Sequence, residues 1–438
     1  MSSWSVTPVT RLEGRIRVPG DKSVSHRTLM LGAIAEGTTT ADGFLASEDC
    51  LATLKALAAL GVKIDRPTAT SVRIEGVGLR GLRGTTAALD MGNAGTAMRL
   101  FMGLLSGQSF DATLIGDSSL MRRPMERAAA PLRLMGASIE TREGKPPVVI
   151  RGGRDLMGID FDMPVASAQV KSAVMLAGLY ARGSTRVTEP APTRDHTERM
   201  LQGFGVDVRR EGATVTVHAP AKLAGCHVDI PADFSSAAFF MVAGCLAKAG
   251  ELHLERVGMN PTRTGLLEIL LAMGANIEVR DLRTAGPEPT ADLIVRPSRL
   301  RGIEVRPDWV PLAIDEFPVF FIAAACAEGE SLLRGAEELR VKESDRLAVM
   351  SAGLTALGVA HELLPDGMRL TGARGEDPVF QSGRIDSHGD HRIAMSFAVA
   401  SVRATGPIEI DDTANVATSF PGFADLARAC GLQLREVT

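Results

Sequence analysis

"IRVPGDKSV" (residues 16–24) and "VDIPADFSS" (residues 228–236) together decide the fold. Each is a short apolar strand turning through a Pro and an Asp into a helix. The helix is "TLMLGAIA" in the first case and "AAFFMVAG" in the second. One copy lies near the start of the 438-residue chain and the other just past its middle. A chain of this length is too long for a single hydrophobic core. A restart halfway along points to two similar domains.

Working outward, the same unit recurs six times. An apolar helical tail, a glycine and a short strand follow one another in "LAALGVKI", "LRLMGASI", "LQGFGVDV", "LLAMGANI", "LTALGVAH" and "ARACGLQL". The glycines are Gly61, Gly136, Gly205, Gly274, Gly358 and Gly431. A glycine just past a helix supplies the left-handed residue that turns the chain into the next strand. Between these glycines a strand, a small-residue turn and an apolar helix alternate with the first element, as in "LDMGNAGTAMRLFMGLL" and "IDSHGDHRIAMSFAVAS". Strands and two helices per unit make an α/β protein. The helices "AAFFMVAGCLA" and "VFFIAAACA" are apolar nearly all round, so they are expected inside each domain rather than on its surface.

Composition narrows the function classes. Charged residues make up 23% of the chain and hydrophobic ones 45%, as in ordinary globular proteins. With one Tyr, two Trp and a net charge of −4, neither stacking platforms for bases nor attraction to nucleic acid or anionic membranes is expected. Cys50, Cys226, Cys245, Cys326 and Cys430 are scattered without CxxC spacing, which suits a reducing compartment and gives no zinc site. No apolar run reaches membrane-spanning length, and the start lacks a signal-peptide core.

The repeats separate scaffold from chemistry. Lys22 corresponds to Phe234, His26 to Ala238 and Arg27 to Phe239, whereas Pro, Asp and Ser remain as Pro231, Asp233 and Ser235. The turn and its cap therefore belong to the fold, with Asp21 and Ser23 read as caps. Lys22 and Arg27 do not, because cations at a helix N-terminus oppose its dipole unless an anion lies between. Ser23 and Arg27 are four apart and share a face. His26 points elsewhere and reads as structural.

Other helix mouths carry polar groups as well. "GNAGTAMR" (92–99) lets backbone approach a ligand, and "VASAQVK" (165–171) offers Ser167, Ala168 and Gln169. "GDHR" (389–392) sets His391 and Arg392 at a helix start. "AIDEF" (313–317) places Asp315 and Glu316 where carboxylates read as caps; facing cations, Asp315 becomes a general base. "SLMRRPME" (119–126) holds Arg123, and "PTRDHTER" (192–199) places Arg194 in a turn. "LRVKESDRL" (339–347) is expected to set Lys342 and Arg346 one helical turn apart with Glu343 between them. Converging cations of this number suit a multiply anionic small molecule, phosphate above all. "GVGLRG" (76–81) matches G-x-G-x-x-G, but no apolar helix follows, so a hairpin turn is expected.

"PGDKSVSHR", "GNAGTAMR", "RRPM", "SAQVKSA", "RVKESDRL", "DHRIAMSF" and "ATSFPGF" resemble the 5-enolpyruvylshikimate-3-phosphate synthase (3-phosphoshikimate 1-carboxyvinyltransferase) family, in its order along the chain. The resemblance implies the enolpyruvyl transferase fold: two domains of three βαβαββ units, inside-out α/β barrel-like, with the active site in the cleft between them. The expected domains are 1–20 plus 231–438, which the N-terminal strand joins, and 21–230. The repeated "P-x-D" turns mark the crossings near 19–22 and 229–233.

The implied reaction transfers the enolpyruvyl group of phosphoenolpyruvate to the 5-hydroxyl of shikimate 3-phosphate and releases phosphate, the sixth step of the shikimate pathway. Neither metal nor organic cofactor is implied. The implied ligands are shikimate 3-phosphate and phosphoenolpyruvate, and a cytoplasmic monomer that binds neither nucleic acid nor membrane is expected. By resemblance, Lys22 contacts both substrates; Ser23, Arg27, Ser167, Ala168 and Gln169 hold shikimate 3-phosphate; and Arg194 contacts its phosphate. Asn93, Gly95, Arg123, Gln169, Arg346 and Arg392 surround phosphoenolpyruvate. Asp315 and Lys342 contact the shikimate hydroxyls. Asp315 takes the hydroxyl proton, and Glu343 and Lys22 are the candidates for protonating the methylene carbon.

"PTRDHT" matches the family's second sequence class. Glu338 stands where an asparagine is expected, and Thr418 and Ser419 where a lysine is expected. The resemblance makes the chain a glyphosate target, with sensitivity expected from Gly95, although Leu100 replaces a nearby proline. Two other readings use the same cations. A UDP-N-acetylglucosamine enolpyruvyl transferase carries "KNAALP"-like residues in place of "KSVSHR". A non-catalytic phosphate-metabolite binding protein has no need of Asp315 and Glu343.

Overall fold

A computed structural model describes residues 2–284, 287–373 and 378–437 of the chain. The recurring glycines lie where the repeat puts them. All six have positive φ, from +76° at Gly358 to +103° at Gly431, directly after a helix and before a strand. The second repeated element forms the helices Lys22–Ile34, Gly95–Ser106, Ala168–Gly178, Phe234–Leu246, Phe317–Ala325 and His391–Ala400. They are buried as their all-round apolar sequences require: Phe234–Leu246 and Phe317–Ala325 are buried at every residue.

Among the described residues, six small sheets accompany these helices. In the second, Leu89–Asp90 pairs parallel with Ala112–Ile115, which follows the Gly95–Ser106 helix, and the antiparallel hairpin Ser138–Arg142/Lys145–Arg151 completes it. The third repeats this order. The first and fourth exchange their opening strands. Gly14–Ile16 pairs parallel with Leu252–Gly258 (Gly14 opposite Leu252), whereas His227–Asp229 pairs parallel with Glu36–Asp42 (His227 opposite Thr40). The fifth sheet has three strands, with isolated bridges from Arg301 to Glu328 and from Glu304 to Leu332 in place of an opening strand. In the sixth, Ser3–Thr7 lies between Ile408–Asp411 and Gln433–Val437, so the N-terminal strand fills the last place of the last unit.

The chain divides into two compact units. One comprises Met1–Pro19, Pro231–Thr284 and Pro289–Thr438; the other comprises Gly20–Ile230 and Ala285–Glu288. Gly20, Pro287 and Glu288 thus group with the 20–230 unit, not with the half to which the sequence reading gave them. Glu288 is tied to that unit by a hydrogen bond, its carboxylate lying 2.7 Å from His196 Nδ1 with both side chains buried. Each unit has its own apolar core. In the C-terminal unit, Phe240 of the Phe234–Leu246 helix packs on Phe420 and Phe423 with ring centroids 6.2 and 5.9 Å away.

Two sequence expectations change in detail. "GVGLRG" closes a turn, Gly81 N–H to Gly78 C=O, and no helix follows. It is not a hairpin, because the next strand, Leu89–Asp90, belongs to a different sheet. Lys342 and Arg346 do not share a helical turn: a 3₁₀ turn ends at Val341, and the helix starts at Arg346. Asp345 caps that start by accepting from Ala348 N–H, which leaves Lys342 outside the helix. No helix among the described residues is long and apolar enough to cross a membrane.

Candidate functional site

The predicted site residues form groups within each unit. In the 20–230 unit Asp21 alone caps the first helix, accepting from Val24 N–H at 2.9 Å. Ser23 is not a cap. It lies in the first turn, and its carbonyl accepts from Arg27 Nη1 at 3.0 Å. Arg27 is 4% exposed, so it is not a solvated helix end. Its Nε donates to Thr197 Oγ1 (2.7 Å) and its Nη2 to Ser172 Oγ (2.8 Å). Burial pulls the Arg27 pKa down to about 10, Arg194 adds to this, and the Glu198, Asp21 and Glu288 carboxylates oppose it. Lys22 Nζ lies 3.1 Å from Asp49 Oδ2. His26 is structural, as read: it is buried, its Nδ1 is 2.8 Å from Thr53 Oγ1, and burial with Lys22 and Arg27 nearby pushes its pKa down to about 3.

The start of the second buried helix gathers the next cations. Arg123 Nη2 donates to Asn93 Oδ1 (2.7 Å), and Asn93 Nδ2 donates to Asp117 Oδ2 (2.7 Å). Gly95 is the first residue of the Gly95–Ser106 helix, and a Cβ there would stand 3.0 Å from Arg123 Nη1 and 3.3 Å from Arg99 Nη1. Ser167 caps the third helix through Val170 N–H, and Ala168 and Gln169 begin it. Gln169 accepts from Arg99 Nη1 (2.6 Å) and donates to Thr96 Oγ1 (2.9 Å). The Ala168–Gly178 helix therefore ties both groups together, Gln169 reaching Arg99 and Ser172 reaching Arg27.

Two residues here escaped the sequence reading. Arg99 closes "GNAGTAMR", and its position four residues after Gly95 was the available signal. Lys171 is fully buried, 3.0 Å from Glu189 Oε1 and 2.6 Å from Glu198 Oε1. A lysine inside an otherwise apolar helix marks a buried ion pair.

The C-terminal unit holds the remaining group. Asp315 Oδ1 is 3.5 Å from Lys342 Nζ and 3.3 Å from Arg346 Nη1. Arg346 is 1% exposed, and its Nη2 donates to Glu343 Oε2 (2.7 Å) and its Nε to Asp390 Oδ2 (2.9 Å). Burial works against its charge, but Asp390, Glu343 and Asp315 outweigh this and raise its pKa above the usual value. Burial likewise disfavours the Asp390 carboxylate, and Arg346 overcomes it, so that the Asp390 pKa lies below its usual value. Arg392 follows Asp390, the cap of the His391–Ala400 helix, and its Nη1 donates to the Asp315 carbonyl at 2.9 Å. Glu316, the N-cap residue of the Phe317–Ala325 helix, makes no capping hydrogen bond with its side chain. Thr418, standing where a lysine was expected, donates to Asn415 C=O at 2.6 Å and closes its own turn.

Chemically, the 20–230 unit offers clustered guanidinium and ammonium groups at helix starts, suited to phosphate and carboxylate. The C-terminal unit offers carboxylates held by cations, suited to proton transfer.

Comparison with known proteins shows the family of the chain. The sequence profile of the family EPSP synthase (3-phosphoshikimate 1-carboxyvinyltransferase) matches residues 6–426. A 3-phosphoshikimate 1-carboxyvinyltransferase of Alkalilimnicola ehrlichii is 60% identical over 98% of this chain and 96% of its own length. One of Methylococcus capsulatus is 58% identical over 98% of each. The solved EPSP synthase of Acinetobacter baumannii superposes with a TM-score of 0.91 at 53% identity, covering both chains completely. The six-fold α/β repeat and the motifs that carry its polar groups thus have one shared source: the chain belongs to the EPSP synthase (3-phosphoshikimate 1-carboxyvinyltransferase) family.

Proposed function

We propose that the residues grouped above perform the family's reaction in this chain, and in the following roles. The reaction is the shikimate-pathway transfer of enolpyruvyl from phosphoenolpyruvate to the 5-hydroxyl of shikimate 3-phosphate. Arg27, Arg194, Ser23, Ser167, Ala168 and Gln169 bind shikimate 3-phosphate. Arg27 and Arg194 neutralise its phosphate. Asn93, Gly95, Arg123, Gln169, Arg346 and Arg392 bind phosphoenolpyruvate, and Lys22 contacts both substrates.

Asp315 takes the proton of the 5-hydroxyl as its oxygen attacks C2 of phosphoenolpyruvate, while Lys342 holds the shikimate hydroxyls. Lys22 or Glu343 delivers a proton to the methylene carbon. The product of addition is a tetrahedral ketal phosphate. Loss of phosphate and of a methyl proton then restores the enol ether. The cations stabilise phosphate as it departs. Arg346 also holds the carboxylates of Asp315 and Glu343 in place.

The observation that carries this reading is Asp315, a carboxylate between Lys342 and Arg346. Anion binding alone has no use for a carboxylate there; an alcohol that must lose a proton does. Phosphate release from the two substrates is the test. Asp315→Asn is expected to lower kcat by about 10²–10⁴-fold while shikimate 3-phosphate still binds. Turnover with a UDP-sugar instead, or unchanged kcat in Asp315→Asn, would overturn it. The five cysteines stay unbridged, which supports a reducing, cytoplasmic setting. A monomer is proposed, and sedimentation checks it.

A further inference from the structure

The six buried helices that open the α/β units begin in nearly the same way. Asp21, Ser167, Asp233 and Asp390 stand at the N-cap and accept a backbone N–H of the first turn. Ala94 has no side chain to do so. Glu316 holds the same position before Phe317–Ala325 and carries a carboxylate, yet makes no capping hydrogen bond. Its side chain is buried among the polar groups of the C-terminal unit. Oε1 accepts from Ser235 Oγ and lies 3.6 Å from Arg392 Nη1. Oε2 is buried without a hydrogen-bond partner among the described residues. A carboxylate so placed costs desolvation that a cap would avoid, so helix formation does not explain it.

Arg392 does. Its Nη1 is held from two sides, by the Asp315 carbonyl at 2.9 Å and by the Glu316 carboxylate. Among the described residues its Nε and Nη2 make no hydrogen bond or ion pair. A guanidinium is a rigid plane, so fixing one end aims the other. Behind Glu316, Arg263 Nη2 donates to Ser235 Oγ at 2.6 Å. Ser235 is the fourth-repeat counterpart of Ser23, so a position assigned to substrate in one unit serves as support in the other.

We propose that Glu316 is a positioning residue for phosphoenolpyruvate: it fixes the Nη1 end of Arg392 so that Nε and Nη2 face the substrate anion. Glu316 does not itself touch substrate. The inference rests on the reading that Arg392 binds phosphoenolpyruvate, and the experiment separates the two. Steady-state kinetics are measured with each substrate varied in turn, on the full chain, for Glu316→Gln, Ser235→Ala and Arg392→Ala. Glu316→Gln is expected to raise KM for phosphoenolpyruvate about tenfold and to leave KM for shikimate 3-phosphate within about twofold. Ser235→Ala, which keeps the carboxylate but frees it, is expected to raise the same KM by about threefold, and it decides the matter if Glu316→Gln does not fold. If Arg392→Ala raises KM for phosphoenolpyruvate and neither support variant does, or if both KM values rise together, Glu316 has no positioning role. If Arg392→Ala leaves that KM unchanged, the assignment of Arg392 itself falls.

Discussion

At the residue scale, burial decides what each polar side chain can do. His26 follows Lys22 and Ser23 in sequence and sits one turn into the same helix, yet it is buried and neutral, its pKa pushed down to about 3. In the unfolded chain the same imidazole titrates near 6.5. Between these values the unfolded state binds a proton that the folded state refuses, so stability is lost as pH falls below about 6.5. Replacing His26 by Gln should reduce the pH slope of unfolding free energy between pH 6 and 4 by up to about 1.4 kcal/mol per unit, read by denaturant titration. An unchanged slope would mean that His26 charges in the native state. Gly95 makes the complementary case, in which space decides. A methyl there would press on Arg123 and Arg99. Gly95→Ala should weaken glyphosate inhibition about tenfold or more and raise KM for phosphoenolpyruvate by less, measured as competition between the two. Equal inhibition of both forms would remove Gly95 from that corner.

At the element scale, the same helix–glycine–strand passage is built six times, and its energetics can be isolated. Gly205 has φ +85°, and nothing lies within 4 Å of an added Cβ. Gly205→Ala should therefore cost only the left-handed backbone, about 1–2 kcal/mol in unfolding free energy. A smaller cost would show that the turn relaxes. The caps divide differently. Asp21 and Asp233 are matched in sequence and both cap, so Asp21→Ala should cost about 1 kcal/mol. Glu316 looked like a further cap and is not, because Ser235 and Arg392 offer its carboxylate other partners. Helix starts were legible as places; what their side chains face was not.

At the scale of the whole molecule, two units with separate cores each carry part of the chemistry. The phosphate-binding groups proposed here lie in the 20–230 unit. Shikimate 3-phosphate at one hundred times its Kd should therefore raise the unfolding free energy by about 2.7 kcal/mol. Hydrogen exchange should locate that protection at the starts of the helices Lys22–Ile34 and Ala168–Gly178. Protection confined to the C-terminal unit would contradict the assignment. The exchange of Gly14–Ile16 and His227–Asp229 between the first and fourth sheets also appears only at this scale, since each strand has the pattern of the place the other fills. The same holds for Ser3–Thr7 completing the last sheet 404 residues away, Ser5 Oγ donating to Glu409 at 2.6 Å.

By itself, the sequence determined the repeat, the α/β class, the buried helices and the positions where charge departs from the repeat. These are local consequences of periodicity, glycine and composition, and they survive whatever the strands pair with. Only the tertiary structure decided partners. "VPGDKSVSHR" shows Lys22 and Arg27 as departures from "IPADFSSAAF", but not that Arg27 would lie under Thr197 and Ser172, 170 and 145 residues away. Asp315 and Glu316 are neighbours with the same charge. One meets Lys342 and Arg346, and the other meets Ser235 and Arg392, because successive residues at a helix start point in different directions. A carboxylate's role is set by what it faces when buried, and that is a property of packing between distant segments.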